Sequence, residues 1–333
     1  MLFELLQERG WLLADGATGT TFFKMGLEAG DAPELWNVGD PDKVTALHKG
    51  FVDAGSDIIL TNSFGGSSYR LKLHNAQDRV HELNAAGARI ARAVADASGR
   101  QVVVAGSIGP TGEIFEPVGS LSHEDGVAAF AEQAIGLKEG GADILWIETI
   151  SSEEELRAAV EGAATAGLPI VTTMSFDTAG RTMMGITPQK FGELAASLDT
   201  QPAAIGANCG VGAAELIATV LGITEARPDA IAVAKGNCGI PEFVDGHIHY
   251  SGTPELMADY ARLARDAGAR IIGGCCGTTA EHLVAMRAAL EDHVPGERPA
   301  IEEVIARLGE VSNLARGEVA ESSGRGGRRR RRG

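Results

Sequence analysis

Residues 269–279 read ARIIGGCCGTT. A short apolar run rich in β-branched residues ends in two glycines, and two adjacent cysteines follow. Such a run suits a strand of a parallel sheet buried on both faces. Working back through the chain, the same kind of run recurs as AIAVAK (230–235), AAIGAN (203–208), PIVTTMS (169–175) and DILWIE (143–148). Further back come VVVAGS (102–107), DIILTN (57–62) and WLLAD (11–15). Helical patterns lie between the runs. Leu256, Tyr260, Leu263 and Ala267 are spaced 4, 3 and 4 apart, which is one helical face. The segment GVAAFAEQAIGLKEGG closes on glycines, as a helix C-terminus does. A short helix, LFELLQERG, precedes the first run. Eight strand–helix alternations predict an α/β chain with a (β/α)8 barrel of the TIM type over residues 1–308. A doubly wound open sheet is the alternative. The count of eight, and the absence of G-x-G-x-x-G after the first run, favour the barrel. The long connection from 62 to 102 predicts additional structure there.

Composition narrows the class. Apolar residues make up 44% of the 333, enough for a large core. No stretch approaches the roughly 18 to 20 uninterrupted apolar residues that span a bilayer. The N-terminus does not read as a signal peptide. A cytoplasmic protein without a membrane partner is expected. Lys and Arg number 29 against 45 Asp and Glu, a formal charge of −16. Six arginines fall in the last ten residues, so the remainder stands at −22. Such an acidic body repels nucleic acid. From residue 309 to 333 Gly, Ser and Arg take over, which predicts a disordered tail. Contact with nucleic acid would be confined to that tail, and a homo-oligomer is left open.

In a (β/α)8 barrel, functional groups project from the C-terminal strand ends. The predicted ends carry Asp15, Asn62, Glu148, Asn208 with Cys209, and Cys275 with Cys276. Adjacent cysteines suit a disulfide poorly, because a trans peptide holds their Cα atoms about 3.8 Å apart. A lone buried cysteine is an apolar filler. Three of them, at the ends of the sixth and eighth strands, point instead to one zinc ion held by Cys209, Cys275 and Cys276. Three thiolates around Zn²⁺ leave a net charge of about −1, a weak Lewis acid for hydrolysis. Such a site suits activation of a further thiol, which points to alkyl transfer onto sulfur. A zinc hydrolase on the same barrel would instead need histidine ligands. Cys238, in KGNCGIP, is expected to be a filler, and His247 and His249, in DGHIHY, are expected to be loop residues.

The motifs DGATGT, WIET, GANCG and GGCCGT together resemble the homocysteine S-methyltransferase domain over roughly residues 10–292. Among its members the sequence is most similar to bacterial betaine–homocysteine methyltransferases. The resemblance implies zinc-dependent methyl transfer from a small onium donor, betaine, to homocysteine, giving methionine. S-methylmethionine, another sulfonium or methylcobalamin are the alternative donors. It further implies that Asp15 and Glu148 hold the homocysteine ammonium and that backbone N–H groups at Ala17 and Thr18 take its carboxylate. Asn208 joins the substrate contacts. Phe64 matches an aromatic of the animal betaine enzymes, whereas Gly65 and Thr149 stand where those carry tyrosine. A trimethylammonium group needs aromatic faces, and Phe22, Phe23, Trp36 and Phe64 are the candidates. Arg181 is a candidate for a donor carboxylate.

Overall fold

The computed structural model describes residues 1–244 and 247–312. Its strands are β1 (Leu12–Leu13), β2 (Ile58–Leu60), β3 (Val103–Ile108), β4 (Ile144–Ile150), β5 (Ile170–Met174), β6 (Ala204–Cys209) and β7 (Ala232–Gly236). They continue with β8 (Pro241–Val244), β9 (His247–Tyr250) and β10 (Ala269–Gly274). Strands β1 to β7 and β10 form one parallel sheet in the order β1-β10-β7-β6-β5-β4-β3-β2. A parallel bridge between Ala14 and Ile58 brings β1 against β2 and closes the barrel. Each of the eight apolar runs is therefore a barrel strand, and the fold is a (β/α)8 barrel. Strands β8 and β9 form a separate antiparallel hairpin after β7.

The run-like apolar character of the strands follows from their two buried faces. Inward side chains such as Leu12, Ile58, Val103, Trp146, Val171 and Ile271 fill the barrel. The N-terminal helix Leu2–Arg9 adds Leu2, Leu5 and Leu6 to that same cluster and plugs the bottom. Outward side chains such as Ile59, Val104, Leu145 and Ile272 pack under the helices. At the bottom, fully buried Asp57 pairs with Arg9, Arg100 and Arg287 at 2.5, 3.4 and 2.8 Å. That network ties the plug helix to β2 and leaves the opposite rim free for chemistry.

Local sequence sets the helix boundaries. The Thr253 hydroxyl accepts a hydrogen bond from Leu256 N and Pro254 occupies the first turn, which starts the helix Pro254–Asp266. The connection after β2 contains the expected extra structure: three short helical turns over Ser68–Leu71, Lys72–His74 and Gln77–Arg79, then the helix Val80–Ala97. No helix among the described residues is long and apolar enough to cross a membrane. Val311 is 5% exposed and Ser312 N donates to Glu215 Oε1 at 2.8 Å, so the chain stays against the barrel beyond the helix Ile301–Leu308. The rest of the tail expected from residue 309, residues 313–333, lies outside the described residues.

Candidate active site

Cys209 ends β6, and Cys275 and Cys276 follow β10. Strand β7 lies between those two strands, so the three sulfurs come from opposite sides of one strand end. Sγ of Cys209 is 3.4 Å from that of Cys275 and 3.7 Å from that of Cys276. All three lie within 4.8 Å of one another, and among the described residues no histidine or carboxylate joins them. Thiolates placed tetrahedrally about one zinc at about 2.3 Å stand about 3.8 Å apart, so the trio fits a single ion and leaves a fourth position. Hydrogen bonds with Cys209 and Cys275 hold the Cys276 thiol below its ordinary pKa, and hydrogen bonds with Cys275 and Cys276 push Cys209 up. The Tyr250 hydroxyl also donates to Cys276.

Backbone geometry delivers these sulfurs. Cys209 adopts φ 61, in the left-handed region that a residue with a Cβ seldom occupies. Asn237, just past β7, ties the two cysteine loops together. Its Nδ2 donates to Gly210 O at 2.7 Å, and its Oδ1 accepts from Cys276 N at 3.0 Å. Cys275 N donates to Gly236 O at 2.7 Å. Gly277 follows at φ 80, and a Cβ there would come within 2.4 Å of the Tyr250 side chain, so glycine is required on both counts. Cys238 is buried apart from the trio, with Sγ 3.2 Å from Gly252 O and 3.2 Å from His282 Nε2. Burial pushes its thiol up to about 11, as befits a packed neutral side chain.

The trio sits in a cavity of about 520 Å³. Its buried part is lined by Glu148, Lys235, Ser107 and the cysteines, and its rim by Phe23, Phe64 and Arg70. Glu148 Oε1 accepts from Ser107 Oγ at 2.5 Å, and burial pushes its carboxyl up to about 7. Asp15 is also buried, and it does not line the cavity. Oδ2 accepts from Leu60 N at 2.7 Å, and Oδ1 faces Lys235 Nζ at 3.0 Å. Ala17 and Thr18 line the cavity, and Ala17 N already donates to Thr278 O at 3.0 Å. Asn208 braces the strand ends. Its Oδ1 accepts from Thr149 N and Thr173 Oγ1 at 2.9 and 2.7 Å, and its Nδ2 donates to Thr149 Oγ1 at 2.8 Å.

Residues 12–290 match the homocysteine S-methyltransferase family. The chain belongs to that family. It is 26% identical to the homocysteine methyltransferase MmuM from Escherichia coli in its oxidized form, with a TM-score of 0.71 over 86% of this chain and 98% of that one. The metallated form of the same enzyme gives 25% identity and a TM-score of 0.71, over 86% of this chain and 99% of that one. A methionine synthase of Mycobacterium tuberculosis is 30% identical over 317 residues, 89% of this chain and 26% of that protein. The chain thus spans about a quarter of the length of the curated relatives it matches.

On this member of the homocysteine S-methyltransferase family, the structure brings together Cys209, Cys275, Cys276, Glu148, Ala17, Thr18 and Phe64 around one cavity. Phe23 joins them, whereas Phe22 and Trp36 stack on each other with ring centroids 5.0 Å apart, inside the helical layer. Arg181 is exposed in a turn, bridged through its backbone to Thr178, and does not line the cavity. The side chains of His247 and His249 lie outside the described residues. Among the cavity residues that escaped the sequence reading are Glu34, Arg70, Lys235 and Tyr250. Lys235 carried a signal, since a charged residue closes an otherwise apolar run buried on both faces.

Proposed function

We propose that this chain transfers a methyl group from betaine, a small onium donor, to the sulfur of homocysteine, giving methionine, with zinc held by Cys209, Cys275 and Cys276. The convergence of three sulfurs beside a buried carboxylate, on the floor of one cavity, carries this reading. The family membership and the metallated form of the E. coli relative support it. Zinc among three thiolates supplies a fourth position at which a thiol loses its proton and keeps a nucleophilic sulfur.

The protein's own residues do the rest. Glu148 faces the substrate ammonium. The cavity walls exclude water, which matters because an anion and a cation lose charge together as the S–C bond forms and the N–C bond breaks. No acid or base is needed for that step, since the departing tertiary amine carries its own electron pair. Donor binding falls to the rim. Phe23 and Phe64 offer ring faces to the onium group. Glu34, 5% exposed, adds a carboxylate there, with Oε1 accepting from Gly65 N at 2.6 Å. Arg70 has no salt-bridge partner among the described residues and lines the same rim, as a donor carrying a carboxylate requires.

A panel of betaine, S-methylmethionine, dimethylsulfoniopropionate and methylcobalamin with homocysteine tests the donor. Betaine is expected to support methionine formation at the highest kcat/KM. Chelation of the metal is expected to abolish turnover, and methionine production by a zinc-free sample would overturn the scheme.

A further inference from the structure

Phe64 and Glu34 share one support at the cavity rim, the four-residue turn Ser63–Gly66 after β2. Gly66 N donates to Ser63 O at 2.9 Å and closes the turn. Phe64 within it lines the cavity, and Gly65 N donates to Glu34 Oε1 at 2.6 Å. Gly109 N, past the end of β3, donates to Phe64 O at 2.9 Å. The carbonyls at the two ends of the turn go instead to side-chain amides of the helical layer. Gln133, in the helix His123–Glu139, donates through Nε2 to Ser63 O at 2.7 Å. Asn84, in the helix Val80–Ala97, donates through Nδ2 to Gly66 O at 2.8 Å. Gln133 Nε2 also donates to Asn84 Oδ1 at 3.2 Å, which joins the two amides into one clamp. Both side chains are fully buried, and neither lines the cavity.

The chemistry of the amides fixes how they sit. A side-chain amide nitrogen has two N–H bonds. Gln133 Nε2 has three acceptors in reach, and the most distant, Ser107 O at 3.4 Å, already takes Ser63 Oγ at 2.7 Å. Its two protons therefore serve Ser63 O and Asn84 Oδ1. Turned end for end, the amide would set its oxygen against those acceptors, so only one orientation works. Gln133 Oε1 is left buried without a partner. Ser63 O already accepts from Gly66 N, so the bond from Gln133 adds placement to a carbonyl that is otherwise satisfied. The clamp closes directly on the turn: a Cβ at Gly66 would lie 2.5 Å from Asn84 Oδ1 and 2.9 Å from Gln133 Nε2.

We infer that Gln133 and Asn84 are positioning residues for the methyl donor. They set the turn Ser63–Gly66, and with it Phe64 and Glu34, against the onium group without touching any ligand. The inference rests on the proposed transfer from an onium donor to homocysteine. The thiol substrate depends on other supports, since Glu148 is held by Ser107 Oγ and the sulfurs by the ends of β6, β7 and β10.

Steady-state kinetics on the full-length protein tests this, with whichever donor of the panel gives the highest kcat/KM. Gln133→Met keeps the bulk of the side chain and removes the amide. Its KM for the donor is expected to rise about 10-fold, the yield of one lost hydrogen bond, while the KM for homocysteine stays unchanged. Asn84→Leu releases the other end of the turn and is expected to show the same split. Phe64→Ala raises the donor KM by itself, and in that background Gln133→Met is expected to add much less than it does alone, because the side chain it places is gone. Amides that merely support the fold would raise both KM values together, or act additively with Phe64→Ala, and either result overturns the inference. An unchanged donor KM in both single variants overturns it as well. A wild type that makes no methionine from any donor would instead remove the proposed reaction, and this inference with it.

Discussion

Cys209 stands at φ 61, and a side chain in that region costs about 1–3 kcal/mol unless its surroundings hold it there. They do so from both sides: β6 pairs with β7 through Cys209 itself, and Asn237 grips the carbonyl of the next residue, Gly210. Cys275 and Cys276 arrive differently, from a strand that ends in two glycines. These supports are backbone contacts that do not pass through the sulfurs, so deleting one side chain should leave the other two in place. Losing a supporting contact around a metal typically lowers affinity about 10- to 100-fold, so losing a ligand should exceed that. Cys275→Ala is expected to weaken zinc by more than about 100-fold in competition with a chromogenic chelator. Cys238→Ala should leave zinc stoichiometry unchanged, because that sulfur faces Gly252 and His282 instead. Full zinc retention by Cys275→Ala would sink the three-sulfur site.

Strand β7 organises the site at the scale of elements, although its residues contribute none of the sulfurs. It hydrogen-bonds to both cysteine-bearing strands, points Lys235 at Asp15, and hands the chain to Asn237, which clamps both cysteine loops. Asn237→Ala removes both clamps while leaving the barrel ladder untouched. Zinc affinity is expected to fall about 10- to 100-fold with little change in thermal midpoint. Asn237→Asp keeps the acceptor for Cys276 N but loses the donor to Gly210, and should fall between the two. Equal zinc affinity in all three proteins would show that the clamp does not position the sulfurs. These contacts mark where the sequence stops being readable. The eight strands were legible because two buried faces force continuous apolar runs, and the cysteine trio was legible because thiols at two parallel strand ends must open on one face. Asn237 and Lys235 were not, because their meaning lies in partners far along the chain on other strand ends: Gly210 and Cys276 for the one, Gly274 and Asp15 for the other. Asn208 and Asp15 show the reverse: their placement at strand ends was foreseen, while their hydrogen bonds go to Thr149, Thr173, Leu60 and Lys235. The hairpin of β8 and β9 had a cue in the Asp-Gly pair at 245–246 between two short alternating runs.

For the molecule as a whole, burial sets two kinds of group against each other as pH falls. Burial raises the carboxyls of Asp15, Glu34, Glu148 and Glu155, so the folded state takes up protons before the unfolded chain does and gains stability as pH falls. His48 acts in the opposite sense. It lies fully buried in the helix Pro41–Asp53, with no hydrogen-bond partner for either ring nitrogen. Burial lowers its pKa from 6.5 to about 4. The unfolded chain therefore binds a proton that the folded state refuses between those values. The stability tied to the neutral ring is fully present above pH 6.5 and is lost as pH falls through about 4. A difference of that size corresponds to roughly 3 kcal/mol. His48→Leu keeps an apolar side chain of similar bulk and removes two unpaired polar nitrogens, so it should stabilise the fold even at pH 7. The buried carboxyls are the same in both proteins and cancel in the comparison. The stability gap between variant and parent, measured by urea denaturation, is therefore expected to widen by about 3 kcal/mol from pH 7 to pH 4. A gap that stays constant over that range would mean that His48 titrates alike in the folded and unfolded chain, and that its burial does not govern its proton affinity.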